Sequence, residues 1–189
     1  IEGGEAELID SFTLNNENLL SMPMSIAKDD KGNIWVGGWA SNTSGNHHAI
    51  LRKTTPSSNE TVVDLWENSN SFNMTIKDLE VDRNGNVLMS IYNNYMQQYP
   101  YWQLARYSVH LDTLDIFDSL ASPLKVPDGI FQHPTGVLFV IGNDNNGFAF
   151  IKAGPEDSLQ NTWTGNREGL GQGGDFTIDL DGSIWVYTW

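Results

Sequence analysis

Apolar and polar residues alternate in short runs along this chain, and the runs recur after a turn glycine. The recurring unit reads Gly32-Asn33-Ile34-Trp35-Val36, Gly85-Asn86-Val87-Leu88-Met89, Gly136-Val137-Leu138-Phe139-Val140 and Gly182-Ser183-Ile184-Trp185-Val186. The four glycines are spaced by 53, 51 and 46 residues. Within a run the period is that of a strand: Ile34, Val36 and Gly38 fall on one face, Trp35, Gly37 and Trp39 on the other. Each unit divides into four short strands. The first gives 24–27, 33–39, 48–53 and 60–67; the second 75–81, 86–92, 101–109 and 115–120. The third gives 129–132, 137–142, 147–153 and 160–163, and the fourth 175–179 and 183–189. No segment carries a helical period.

Short strands at a repeat of this length predict an all-β fold, a β-propeller of four-stranded antiparallel blades. One blade cannot bury its own apolar faces, so neighbours must stack. A single domain over 1–189 is expected, with repeats at about 24–67, 75–120, 129–163 and 175–189. The segment 6–14, from Ala6, reads as an outer strand that closes the last blade. That blade then lacks one strand, which leaves three readings: a shortened blade, a fragment of a larger propeller, or a strand supplied by another molecule. The fragment is favoured.

Composition narrows the partners. The net charge is −14, from 24 acidic and 10 basic residues, which repels phosphate backbones and anionic lipid. Nucleic acid and membrane surfaces are therefore not expected, and neutral glycans, cations or basic protein surfaces remain. No apolar run approaches the roughly 18 residues of a spanning helix, so no membrane insertion is expected. The absence of cysteine removes disulfides, thiolate catalysis and cysteine metal sites. The chain begins at Ile1, which reads as a processed product whose targeting segment is gone.

The turns before the repeat glycines are Asp29-Asp30-Lys31-Gly32, Asp82-Arg83-Asn84-Gly85 and Asp179-Leu180-Asp181-Gly182, with Gln132-His133-Pro134-Thr135-Gly136 in the third repeat. Alternating carboxylates before a glycine open calcium loops, yet no later carboxylate completes one here. A hairpin capped by Asp, with Gly supplying positive φ, is the stronger reading. Trp35, Leu88, Phe139 and Trp185 are equivalent and are expected between blades.

The candidate site is aromatic. Tyr92-Asn93-Asn94-Tyr95-Met96-Gln97-Gln98-Tyr99-Pro100-Tyr101-Trp102 holds aromatics and amides without a charge, and is expected as a loop. It shares a face with the long connections between blades and with the loop carrying His47 and His48. Trp39, Tyr92 and Trp189 end second strands, where a flat ring could stack on a sugar, although packing is the favoured reading for them. The expected ligand-binding set is Trp39, His47, His48, Tyr92, Asn93, Asn94, Tyr95, Tyr99, Tyr101 and Trp102. A glycan and a protein partner stand about equal. His47 and His48 are adjacent on a strand and so point to opposite faces, which prevents a shared metal. No nucleophile elbow or clustered carboxylate is present, and the glycines of 169–174 lack a phosphate-binding context. No catalytic residue, metal or cofactor is expected, and the chain is not expected to be an enzyme. Asn42, Asn59 and Asn73 head N-glycosylation triplets.

The repeat resembles the two-component-regulator propeller repeat, whose pattern is a short strand, Asp-x-x-Gly, a hydrophobic residue, Trp, and an aliphatic and a small residue. Residues 25–38 and 175–186 carry it, 79–89 carry it without the Trp, and the third copy is degenerate. The resemblance implies a propeller that is extracellular or periplasmic, and a sensing or binding part of a larger bacterial protein, with oligosaccharides among the ligands. A weaker resemblance to propeller lyases and lactonases lacks their catalytic histidine and metal ligands. The leading expectation is thus a non-catalytic binding module. Behind it stand a subunit of a surface or filamentous assembly, a homo-oligomer joined through the open edge near Trp189 and Ala6, and, last, a lyase-like enzyme.

Overall fold

In the computed structural model the described residues are 11–12, 20–65, 73–95, 99–121, 125–144, 148–154, 160–166, 174–179, 181 and 183–188. Among them every regular element is a strand. The first sheet comprises β1 (Ser21–Lys28), β2 (Ile34–Ser41), β3 (His47–Thr54) and β4 (Asn59–Leu65). The second comprises β5 (Asn73–Val81), β6 (Val87–Tyr95), β7 (Tyr99–Ser108) and β8 (Thr113–Ala121). The third comprises β9 (Lys125–Gln132), β10 (Leu138–Asp144), β11 (Phe148–Gly154) and β12 (Gln160–Asn166). β13 (Gly174–Ile178) and β14 (Ile184–Thr188) form a final hairpin. Strands within each sheet pair antiparallel in chain order. One parallel bridge, His47 to Asn73, joins the first two sheets. No strand pairing joins the last hairpin to the first sheet among the described residues, so the stack is not closed. The expected closing strand 6–14 lies outside them apart from Ser11 and Phe12, as does Trp189.

Several strands run longer than the pattern predicts. β6 continues to Tyr95 and β7 starts at Tyr99, so the expected 92–102 loop is mostly hairpin, with Tyr92 opposite Trp102 and Tyr95 opposite Tyr99. The composition carries the reason: Tyr and Trp suit a half-buried pleated surface at least as well as a loop.

Each turn is built around one side chain. Asp29 Oδ1 accepts the backbone N–H groups of Lys31 (3.0 Å) and Asn33 (2.8 Å). Its Oδ2 accepts Asn33 Nδ2 (2.8 Å) and the Trp35 indole Nε1–H (3.1 Å). Burial alone would raise the Asp29 pKa; the hydrogen bonds from Asn33, Trp35 and Lys31 outweigh it and hold the carboxyl below its ordinary range. Asp82 repeats the arrangement on Asn84 and Asn86, and Asp179 on Asp181, Ser183 and Trp185. Gly32 and Gly85 take φ of +85° and +78°, where a side chain would be strained. In the third repeat His133 Nδ1 accepts the Thr135 N–H (3.2 Å), an imidazole in place of the carboxylate.

The sheets stack through two apolar layers. Between the first and second lie Trp35, Ala49, Leu51, Ile76, Leu79, Met89 and Ile91. Between the second and third lie Leu88, Trp102, Leu104, Ile130, Leu138 and Val140. Gly37 lets the sheets close up, since a Cβ there would stand 2.6 Å from both Ile76 Cγ2 and Leu79 Cδ2. Their first strands also meet. Asp78 accepts the Ser25 hydroxyl (2.7 Å) from β1 and the Ile130 N–H (2.9 Å) from β9, while Glu80 accepts the Gln132 N–H (2.7 Å).

Two predictions follow from this packing. A Cβ at Gly38 would run into the Met22 main-chain carbonyl, whereas at Gly37 it meets side-chain methyls of Ile76 and Leu79. Gly38→Ala is therefore expected to cost about 1–3 kcal/mol in urea unfolding, more than Gly37→Ala; equal costs would contradict the packing. Burial pushes Glu80 up to about 7, with the nearby Asp78 charge adding to it and the Gln132 N–H opposing it. The folded state thus holds a proton that the unfolded chain releases. The stabilisation from this group is complete below the ordinary pKa of 4.5 and is lost as pH rises through about 7. The stability difference between wild type and Glu80→Gln should grow less favourable to wild type from pH 4.5 to 7 and flatten above; a pH-independent difference would refute it.

Candidate functional site

The Asp carboxylates serve their turns. Both oxygens of Asp29, of Asp82 and of Asp179 are spent on turn N–H groups, an Asn amide or an indole. Among the described residues no three His, Asp or Glu side chains gather to hold an ion.

The histidine pair separates as strand geometry requires. Ser41 pairs with His47 and Trp39 with Ala49, which sets Trp39 and His47 diagonally on the face toward the second sheet. Their rings stack at 3.8 Å with 7° between planes. Both are half-buried. Burial lowers the His47 pKa below its ordinary value, which favours the neutral ring. His48 lies on the opposite face and is buried. Its Nδ1 is 2.7 Å from Asp64 Oδ1 and its Nε2 3.1 Å from Asn42 Nδ2. The Asn42 oxygen accepts the Ser44 and Asn46 N–H groups, which orients the amide so that Nδ2 donates to Nε2. The His48 proton therefore sits on Nδ1 and is donated to Asp64. His48 thus fastens the 42–46 turn to β4 and is not open to a ligand, contrary to its expected role.

The Tyr92–Trp102 set divides between crevices. Asn93 is paired with Met74 and buried on the face toward the first sheet, where its Oδ1 accepts no hydrogen bond among the described residues. Tyr92 lies on the other face, half-buried, and burial raises its pKa. Trp102 is 0% exposed in the layer between the second and third sheets. Trp102 is accordingly a core residue, since a ring enclosed by Leu88, Leu104 and Ile130 has no free face for a sugar. Asn94, Tyr95, Tyr99 and Tyr101 are placed on β6 and β7 by register, and Met96 to Gln98 lie outside the described residues.

No protein-family model matches the chain, and no curated protein matches it. The fold has solved counterparts. A protein of unknown function from Dyadobacter fermentans matches over 87% of this chain and 55% of its own, with TM-score 0.56 and 12% identity. A periplasmic gluconolactonase of Pseudomonas aeruginosa (TM-score 0.47, 10% identity) is covered over 63% of its length, and 88% of this chain is matched. A protein from Bacteroides uniformis assigned as a 6-phosphogluconolactonase (TM-score 0.46, 9% identity) is covered over 64%, again matching 88% of this chain. This chain thus spans little more than half of the first and less than two thirds of the others. These likenesses concern fold. They nevertheless correct one expectation: proteins named as lactonases stand among the similar structures, so a missing sequence motif does not exclude an enzyme.

Sequence reasoning missed the partners of the histidines. Asn42 and Asn73 were legible only as glycosylation triplets, yet Asn42 holds His48 and Asn73 Oδ1 accepts the His47 N–H (3.1 Å). Asn59 is the exposed member of that set. Asn42-Thr43-Ser44-Gly45, with Gly45 at φ +79°, carried an Asx-turn signal that could have identified the first.

Because burial under Trp39 disfavours charged His47, Trp39→Ala should move the His47 titration midpoint, followed by NMR, upward toward 6.5. An unchanged midpoint would mean that the stack does not shield the ring.

Proposed function

We propose that this chain is part of a β-propeller whose ligand site lies at the His47 end of the crevice between the first two sheets, and that the ligand is a neutral glycan. The observation that carries the reading is the Trp39–His47 stack: a flat, uncharged, half-buried double ring. A sugar offers an apolar C–H face to such a platform and hydroxyls to nearby amides. The net charge of −14 disfavours anionic ligands.

The propeller ring, the single-domain organisation, a sensing or binding role and an extracellular or periplasmic location belong to the same proposal. They rest on the repeat and its resemblance to two-component-regulator propellers, together with the stacked four-stranded sheets.

The test is a glycan array probed with wild type, Trp39→Ala, His47→Ala and the control Asn59→Gln. Wild type and Asn59→Gln should retain the same neutral glycans. Trp39→Ala should lose at least about 2 kcal/mol of affinity, the scale of an aromatic anchor. Folding of each variant is checked by circular dichroism. Equal binding by Trp39→Ala and wild type, or no glycan retained by wild type, would contradict the reading.

A further inference from the structure

The strands that meet at His47 bring it rings, amides and apolar groups, and among the described residues none brings it a charge. Its ring lies flat on Trp39, 3.8 Å away with 7° between planes, and its N–H is held by Asn73 Oδ1 (3.1 Å). β2 presents Trp39 and the register partner Ser41; β5 presents Asn73, which bridges to His47, and then Met74. β6 sets Asn93 opposite Met74, and β4 sets Leu65 opposite Ala49. β1 pairs here through Ser21 and Met22 and keeps Lys28 at its other end. The charged side chains of these strands lie elsewhere. Lys53, paired with Glu60, is about 20 Å along β3 at the rise of a strand. Lys77, Asp78 and Glu80 begin about 13 Å along β5 from Asn73. His48, Arg52 and Asp64 are on the opposite face, His48 against Asp64 and Arg52 over the Phe12 ring.

Burial therefore sets the protonation of this ring, lowering its pKa with no charge or hydrogen bond contributing. The ring is half-buried, so water still reaches it and solvates an imidazolium. A ligand seated on the platform removes that water, and a neutral sugar has no charge with which to replace it. Sugar hydroxyls hydrogen-bond to either form of the ring. Attraction of an imidazolium to the Trp39 face works the other way, but the stack is present with and without ligand and cancels in the difference.

We infer that binding at this site expels the proton from His47, so that the ligand is held at neutral pH and released in acid. The inference rests on the glycan reading above and adds its regulation. A proton held more weakly in the complex than in the free protein is a competitor of the ligand. Affinity is level above the midpoint of the free ring, which lies below 6.5. It then falls by up to about tenfold for each pH unit until the midpoint of the complex is reached.

The neutral glycans of the array serve as probes for wild type and His47→Phe at about pH 7.5 and about pH 5. Circular dichroism confirms folding at each pH. Wild type should lose signal several-fold at the lower pH on the glycans it retains at the higher. His47→Phe keeps a flat ring without a titrating nitrogen, so its signals should not change with pH, whatever their strength. The NMR midpoint of His47, identified by its absence from the His47→Phe spectrum, should fall further when a retained glycan is added; this decides the matter if the variant retains nothing. Wild-type signal that is equal or greater in acid would overturn the inference and leave the glycan reading standing. So would a midpoint unmoved or raised by the glycan, or an acid loss that persists in His47→Phe. An array blank at both pH values would overturn the reading and the inference together.

Discussion

A β-sheet with apolar side chains on both faces must be covered on both, and that constraint organises this molecule. Alternation puts Leu79, Val87, Met89 and Ile91 on one side of the second sheet and Leu88, Trp102 and Leu104 on the other. Neither side can face water without exposing several large side chains, each worth about 1.5–3 kcal/mol when buried. The first and third sheets meet that demand, and the repeat guarantees that each sheet brings the same fittings. The Asp turn serves this packing: by accepting the Trp35 indole N–H it removes the one polar group that would penalise burying the ring. Exposure of Trp185 in the same turn shows that the lock forms without the burial it permits.

The fold was legible where interactions are local. The turn glycines, the Asp side chains closing on N–H groups two and four residues ahead, and the strand alternation all lie within a few residues of one another. They gave every strand its place, with ends moved by a few residues. Trp102 was not legible. Its burial depends on Ile130 and Leu138, which come from another repeat, and on β7 starting early enough to set it opposite Tyr92. An uncharged run of Tyr, Asn and Gln suits either a recognition loop or a hairpin, and the hydrogen-bond register decides between them.

The candidate site was half legible, for a similar reason. Opposite faces for His47 and His48 followed from strand parity alone. The stacking of His47 on Trp39 required knowing that β3 begins at His47 and that Ser41 is its partner. The conversion of His48 into a brace required Asp64, from the next strand, and a turn amide whose orientation is fixed by two N–H groups. The exclusion of catalysis failed on other grounds. Function resides in the geometry of sites carried by a fold, and the lack of a recognisable motif does not exclude catalysis.

A double-mutant cycle between Trp35 and Leu79, which share the layer between the first two sheets, tests the central claim most directly. Urea unfolding of Trp35→Ala, Leu79→Ala and the double variant should give a coupling energy within about 0.5–3 kcal/mol. Trp35→Ala combined with Ile130→Ala, whose residues lie in separate layers, should be additive within about 0.5 kcal/mol. Additive costs for Trp35 and Leu79 would contradict the account, because the two sheets would then not be held together by this pairing.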